Sequence, residues 1–260
     1  MKTFVIYFSA TVTVLLLALG SLRLHPYYHL AKKQGMIKET MTRITSDTLK
    51  IAFIGDSWAA YHHNCDSNME SMLSDKGLPA HVVSIGNVGA KSKDIYLRLY
   101  STTKPVLLEL PDYCIVSAGI NDAVAKMGKE FYVYHYLLIL QHLMDMGIRP
   151  VVLEMPDVHY RAIFGREPWT MKARHVLSSL LTGAEMYRFD SYRTSLKKAI
   201  RQHGLQDRLV YISADAWSAG GYLAHGDMYQ SDETHLNAKG YETLDSCLAS
   251  AIISDRRNNH

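Results

Sequence analysis

The sequence predicts an α/β fold: a single three-layer α/β/α domain with a five-stranded parallel, flavodoxin-like sheet, preceded by an N-terminal hydrophobic helix. Three observations predict it. From Leu49 onward, short apolar runs of strand length alternate with longer helix-like segments, the mark of a doubly wound parallel sheet. The first run is apolar on successive residues, as a strand buried on both faces must be. One uncharged stretch, Thr3 to Gly20, stands apart at the amino terminus.

That terminal stretch comes first in the chain. It is near the roughly 17–25 residues a membrane helix needs and long for a signal-peptide core of about 7–15. Residues 1–22 are therefore expected to be a transmembrane anchor, with Ala18-Leu19-Gly20 leaving cleavage and secretion as the alternative. Orientation draws two opposed arguments. Lys2 precedes the span while Arg23, Lys32 and Lys33 follow it, which by the positive-inside rule keeps the domain in the cytoplasm. The signal-like start and the chemistry below favour an extracytoplasmic domain. Residues 23–48 are basic and polar without an apolar face, and read as a stalk before a domain at 49–260.

Within the domain, Ile51-Ala52-Phe53-Ile54 is the first strand, ended by Gly55-Asp56-Ser57, and 58–76 is a helix stopped by Gly77 and Pro79. His81 to Ile85 is the second strand and 91–103 a helix; Tyr113 to Ser117 is the third strand. A long helix runs from about Gly128 to Met146, and Pro150 to Glu154 is the fourth strand. Residues 155–170 carry two prolines and no clean period, so they read as an insertion loop. Helical patterns fill 171–203 with a break near Gly183, Leu209 to Ile212 is the fifth strand, 214–231 is a loop, and a closing helix begins near Asn237. No internal repeat or second domain is evident.

Composition narrows the function classes. With 48% hydrophobic and 20% charged residues the chain is ordinary globular protein. A formal charge of +3 without a Lys/Arg run gives no basis for a nucleic-acid partner, and no protein partner is indicated. Three scattered cysteines, Cys65, Cys114 and Cys247, form neither a disulfide framework nor a zinc knuckle. His62 and His63 splay about 100° apart on a helix, and no metal-ligand spacing occurs, so neither a metal nor another cofactor is expected. His159, His175 and His225 read as surface or loop histidines.

Chemistry collects at strand ends. Strand one ends in Ser57, strand two in Gly89, strand three in Asn121, and the loop after strand five holds Asp232-Glu233-Thr234-His235. In a parallel sheet these ends share one edge, where open α/β sheets bind ligands. Each signal alone is also an ordinary turn or helix cap. Their occurrence in order, each after its own strand, is harder to explain as turns.

On these residues the chain resembles the SGNH hydrolases, the GDSL esterase/lipase superfamily, over roughly residues 49–253. Gly55-Asp56-Ser57 matches the first block of that family, Gly89 the second, Gly119-Ile120-Asn121-Asp122 the third, and Asp232 to His235 the last. Two positions depart from the commonest form: Trp58 stands where an aliphatic residue is usual, and Glu233 where glycine is frequent.

The resemblance implies a serine esterase. Ser57 would be the nucleophile, His235 its base, and Asp232 the carboxylate that orients the imidazole. The backbone N–H groups of Ser57 and Gly89 and the side-chain amide of Asn121 would hold the oxyanion. Asp56 is expected to brace the loop. Trp58 beside Ser57 is expected to contact substrate, as are Trp217 and Tyr222, which with Tyr160, Trp169 and Tyr229 lie on the two long loops that should rim the site. The expected substrate is a small O-acyl ester, such as acetyl, on a carbohydrate or other small molecule. A lipase or lysophospholipase, a glycan O-acyltransferase, and a non-catalytic glycan-binding protein are the alternatives.

Overall fold

The computed structural model of the chain describes residues 2–24, 29–34, 47–100 and 110–259. A long apolar helix, α1 (Lys2–Leu24), comes first. Lys2–Gly20, 19 residues at mean hydropathy 2.0, is unburied, which suits either a membrane anchor or a signal peptide.

The domain follows as β1 (Leu49–Gly55), α2 (Ser57–His62), α3 (Asp66–Ser74), β2 (Ala80–Gly86), α4 (Ser92–Leu99), β3 (Tyr113–Ser117), α5 (Ile120–Val124) and α6 (Lys129–Asp145). It continues through β4 (Arg149–Leu153), α7 (Tyr160–Arg166), α8 (Trp169–Thr182), α9 (Asp190–Gln202), β5 (Val210–Ile212), α10 (Asp215–Ser218), α11 (Gly221–Ala224) and α12 (Ala238–Asn259).

The five strands are parallel in the order β2-β1-β3-β4-β5. Helices α2, α3 and α12 cover one face and α4, α6 and α9 the other. Sandwiched between them, Phe53, Ile54, Ile115, Val116, Val151 and Val152 are fully buried, which is why the strands read as unbroken apolar runs. The register aligns the strand ends: Gly55 pairs with Gly86 and Ser117, Ser117 with Leu153, and Leu153 with Ile212. This order reverses direction between β1 and β3, the switch point at whose carboxyl end a crevice opens. Ser57 begins α2 directly there. Gly86 lets α2 settle onto that edge, since a Cβ on it would lie 2.0 Å from the Ala60 nitrogen.

The helices differ from the sequence reading in instructive places. The single helix expected over 58–76 is broken by a 3₁₀ turn at His63–Cys65. The break lets His62 and Asp66 both reach Ser84 on β2, a tertiary constraint the helical pattern does not encode. The insertion expected as loop, 155–170, contains α7 and the start of α8, and the glycine-rich 214–231 contains α10, α11 and a 3₁₀ turn at Gly226–Met228. Gly183, at φ +68°, does end α8 as expected.

Most of the expected stalk, including 35–46, lies outside the described residues, as does the end of the helix expected over 91–103. Part of the stalk stretch that is described is not free chain. The Ala31 N–H donates to His135 Nε2 at 2.9 Å, Tyr134 Oη–H donates to the Ala31 carbonyl, and the Gln34 N–H donates to Tyr96 Oη. Ala31 is thereby buried against α6.

Candidate active site

Ser57 is 7% exposed and opens α2, whose N-cap is Asp56. Asp56 Oδ1 accepts from the Trp58 N–H at 3.0 Å and from Ser117 Oγ–H at 3.4 Å, and the Asp56 N–H donates to the Ser117 carbonyl. Its carboxylate therefore joins the ends of β1 and β3 beneath Ser57. Burial drives the Asp56 pKa up to about 7, against the opposing pull of the Trp58 N–H.

The loop after β5 brings its imidazole to this edge. His235 Nε2 lies 2.8 Å from Ser57 Oγ, and Nδ1 lies 2.5 Å from Asp232 Oδ2. A neutral ring that donates Nδ1–H to the carboxylate presents Nε2 as acceptor for the hydroxyl proton. Asp232 Oδ1 also accepts from the backbone N–H groups of Thr234 and His235, both at 3.0 Å. Burial alone would raise the Asp232 pKa, but those two N–H groups and the ring outweigh it and hold the carboxyl below its usual range. A tight turn thus lets residues three apart share one proton path.

Two further loops at the edge are tied to each other. Gly89 follows β2 with φ +78°, and a Cβ there would meet nothing within 4 Å. Conformation, besides any need for close approach by a substrate, therefore calls for glycine. Asn121 lies in α5 and donates Nδ2–H to the Ala90 carbonyl at 3.1 Å, which orients the amide and leaves it a second hydrogen. Asp122 beside it is fully buried and accepts from both the N–H and the Oγ–H of Ser92, at 2.8 and 2.7 Å. This bracket between the Gly89 loop and the Asn121 helix escapes a sequence reading, because Ser92 and Asp122 are 30 residues apart. Burial lifts the Asp122 pKa to about 6, with the Ser92 bonds opposing.

Two of the three aromatic residues expected at the substrate face lie elsewhere. Trp58 and Trp217 are 1% and 6% exposed and pack edge-to-face at 5.8 Å, so their indoles are core rather than pocket lining. Trp58 and His62 stand four residues apart on one face of α2, and both are buried. Tyr222 is at the rim and stacks on His159, with centroids 5.0 Å apart and planes 11° from parallel. Tyr61 was not singled out, yet its ring meets His235 edge-on at 4.7 Å. Its signal was present: four residues after Ser57, it lies on the same helical face.

His159 is a loop histidine, as expected, and belongs to the rim: its Nδ1 lies 2.8 Å from Glu233 Oε2 and its backbone N–H donates to the Glu233 carbonyl. Arg166 adds N–H bonds to the Asp232 carbonyl and to Glu233 Oε2. Glu233 itself sits at φ +60°, the left-handed region that explains why glycine suits this position. His175 is 4% exposed and faces Glu167, so it is no surface residue.

Behind the site, His62 is fully buried between two carboxylates. Its Nε2 lies 2.6 Å from Asp245, and its Nδ1 lies 2.7 Å from Ser84 Oγ and 3.0 Å from Asp66. Ser84 Oγ–H donates to Asp66 and so accepts from the ring, and against an ionised Asp245 only an imidazolium has a hydrogen for both sides. Burial opposes the charge, but Asp245 and Asp66 outweigh it and raise the His62 pKa to about 9. Among the described residues, no group of three or more His, Cys, Asp or Glu side chains is arranged to hold a metal ion.

The architecture recurs in solved structures. An acetyl xylan esterase, AlAXEase, aligns with a TM-score of 0.57 at 18% identity over 78% of this chain and all of that one. A lipase/acylhydrolase from Enterococcus faecalis aligns at 0.58 with 17% identity, over 81% of this chain and 97% of the other. A GDSL-like lipase from Bacteroides thetaiotaomicron aligns at 0.52 with 13% identity, over 79% and 88%. Likeness at such identities is likeness of fold. No curated protein sequence matches significantly. The sequence profile of the GDSL-like lipase/acylhydrolase family matches residues 53–243, from the strand before Ser57 to the helix after His235, and the chain belongs to that family.

Proposed function

We propose that the protein is a serine esterase that cleaves small O-acyl esters, acetyl above all, from a carbohydrate through an acyl-enzyme on Ser57. The observation that carries this reading is the continuous hydrogen-bonded path from Asp232 through His235 to Ser57 Oγ.

In this reading Ser57 Oγ attacks the acyl carbon while its proton passes to His235 Nε2. Asp232, ionised across the neutral range, stabilises the imidazolium. The carbonyl oxygen gains negative charge and is met by the N–H groups of Ser57 and Gly89 and the free hydrogen of Asn121 Nδ2. Collapse breaks the ester C–O bond, and the imidazolium gives its proton to the departing sugar oxygen. Water then attacks the acyl-enzyme with His235 again as base, releasing the carboxylic acid and restoring Ser57.

The carbohydrate assignment rests on the rim. Tyr222, His159 and Tyr61 offer aromatic edges and faces, and charged Glu233 and Arg166 stand among them. A sugar ring suits such a mixed surface better than an acyl chain does. The fold shared with a structure described as an acetyl xylan esterase accords with it.

Hydrolysis of nitrophenyl esters of increasing chain length by the wild-type protein and Ser57→Ala tests the proposal. Ser57-dependent turnover that declines from acetyl to octanoyl is expected. A preference for octanoyl would point to a lipase, and no turnover with no fluorophosphonate labelling would remove the enzyme reading.

A further inference from the structure

Beside the triad loop lies a cavity of about 460 Å³ whose lining does not include Ser57. It is bounded by the His159–Tyr222 stack, by Tyr160 and Arg161 at the start of α7, and by Tyr187 and Arg188 before α9. Its link to the site is short. His159 binds Glu233 through both side chain and backbone, and Glu233 directly follows Asp232.

The charges in this cavity are unevenly satisfied. Its two carboxylates, Asp157 and Asp190, are both taken by Arg193, at 2.9 and 2.6 Å. Arg161 and Arg188 are exposed, and among the described residues neither has a carboxylate partner. Among the described residues, Arg161 is paired with the ring of Tyr187 alone, 5.5 Å from its Cζ. Two guanidinium groups without acids, among tyrosine rings, form a surface for a planar or tetrahedral anion attached to a ring.

The wall is also held in place from beneath. Lys126 is 1% exposed, at φ +57°, and its Nζ donates to the carbonyls of Glu185 and Met186 at 2.9 and 2.7 Å. The same ammonium lies 4.1 Å from the centre of the Tyr160 ring. A single buried cation therefore fixes both the backbone that presents Tyr187 and Arg188 and the ring at the start of α7. Holding a long polar side chain in this way serves a surface whose shape matters before a ligand arrives.

We propose that this cavity is a subsite for an anionic sugar residue, a uronate or a pyranose bearing phosphate, which lies next to the acylated residue of the substrate. The inference rests on the esterase reading for its adjacent ester, but its binding chemistry is independent of turnover. Arg161 and Arg188 pair with the anion, and the stacked His159–Tyr222 face receives the ring. The enzyme's polymer substrate would then be acidic, with acyl groups on residues neighbouring its negative charges.

Calorimetry on the full-length Ser57→Ala protein in detergent micelles tests this, with trigalacturonate, neutral xylotriose and glucose 6-phosphate as probes. Trigalacturonate is expected to bind at least about 10-fold more tightly than xylotriose at low salt, a preference that shrinks as salt is raised. In the Arg161→Gln/Arg188→Gln background the preference is expected to collapse to near unity, with thermal melting as the control for folding. A higher affinity for glucose 6-phosphate than for trigalacturonate would identify phosphate as the anion recognised. Equal binding of charged and neutral trisaccharides, no binding of any probe, or a preference that survives the double substitution would overturn the proposal. The two readings fail separately. An anion preference without Ser57-dependent ester cleavage leaves the subsite and removes the esterase; cleavage without the preference does the reverse.

Discussion

Glu233, held at φ +60°, is hydrogen-bonded through its carboxylate to His159, which lies 74 residues earlier in the chain. An L-residue in that region costs about 1 kcal/mol. The contacts to His159 and Arg166 offset the strain and fasten the α7 segment beside the triad loop. Glu233→Gly should therefore melt near the wild-type temperature, as relief of strain and the lost ion pair roughly cancel. Its kcat/KM on an acetylated oligosaccharide should fall about 5-fold, and more than on nitrophenyl acetate. Kinetics on the two substrates, beside a thermal melt, check both parts.

The proton path gives the largest effects. Asp232→Asn removes the charge that stabilises imidazolium and disturbs the tautomer, so kcat should fall about 10³–10⁴-fold. Ser57→Ala should abolish acylation altogether. Burst kinetics with nitrophenyl acetate measure both, and near-normal turnover by either variant would contradict the assignment.

Asn121 is an oxyanion donor in the proposed mechanism, and Asn121→Ala should then lower kcat about 10²–10³-fold. Since the hydrogen bond to the Ala90 carbonyl is also lost, a denaturant titration is needed beside the kinetics. A rise in KM with kcat unchanged would show that the amide binds ground state and transition state alike.

The Tyr61 ring packs edge-on to His235, the base of the proposed mechanism, so any support it gives should come from the ring and not the hydroxyl. Tyr61→Phe should keep most activity, whereas Tyr61→Ala should lose about 2–10-fold in kcat/KM. Equal losses in the two variants would assign the effect to the hydroxyl instead.

Stability should depend on pH through His62. Its folded pKa, raised to about 9, lies above the ordinary value of 6.5, so the native state holds a proton that the unfolded chain gives up. The stabilisation is complete below about pH 6.5 and is lost as pH rises through about 9, by on the order of 1–3 kcal/mol. Urea titrations across that window should show the decline, and His62→Gln should flatten it while lowering stability at neutral pH.

Much of the fold was legible because of how parallel strands are buried. Phe53, Ile54, Ile115 and Val116 are covered on both faces, so each strand announces itself as an apolar run without a partner having to be known. Helix breaks were less legible. The turn at His63–Cys65 answers to Ser84 on another strand, and no local propensity asks for it.

By itself, the sequence determined the alternation of strands and helices and the places where polar residues follow strand ends: Ser57, Gly89, Asn121 and the Asp232–His235 turn. These are local facts, since a strand terminus, a glycine and a three-residue spacing are all contained in neighbouring residues. Only the tertiary structure decided which side chains face one another across the edge. It sent Trp58 and Trp217 into the core, and it drew Tyr61 onto His235. It also paired His62 with Asp245 across 183 residues and His159 with Glu233 across 74. The physical reason is that the inward or outward turn of a residue on a short helix is set by what packs above it, and that partner comes from a distant part of the chain.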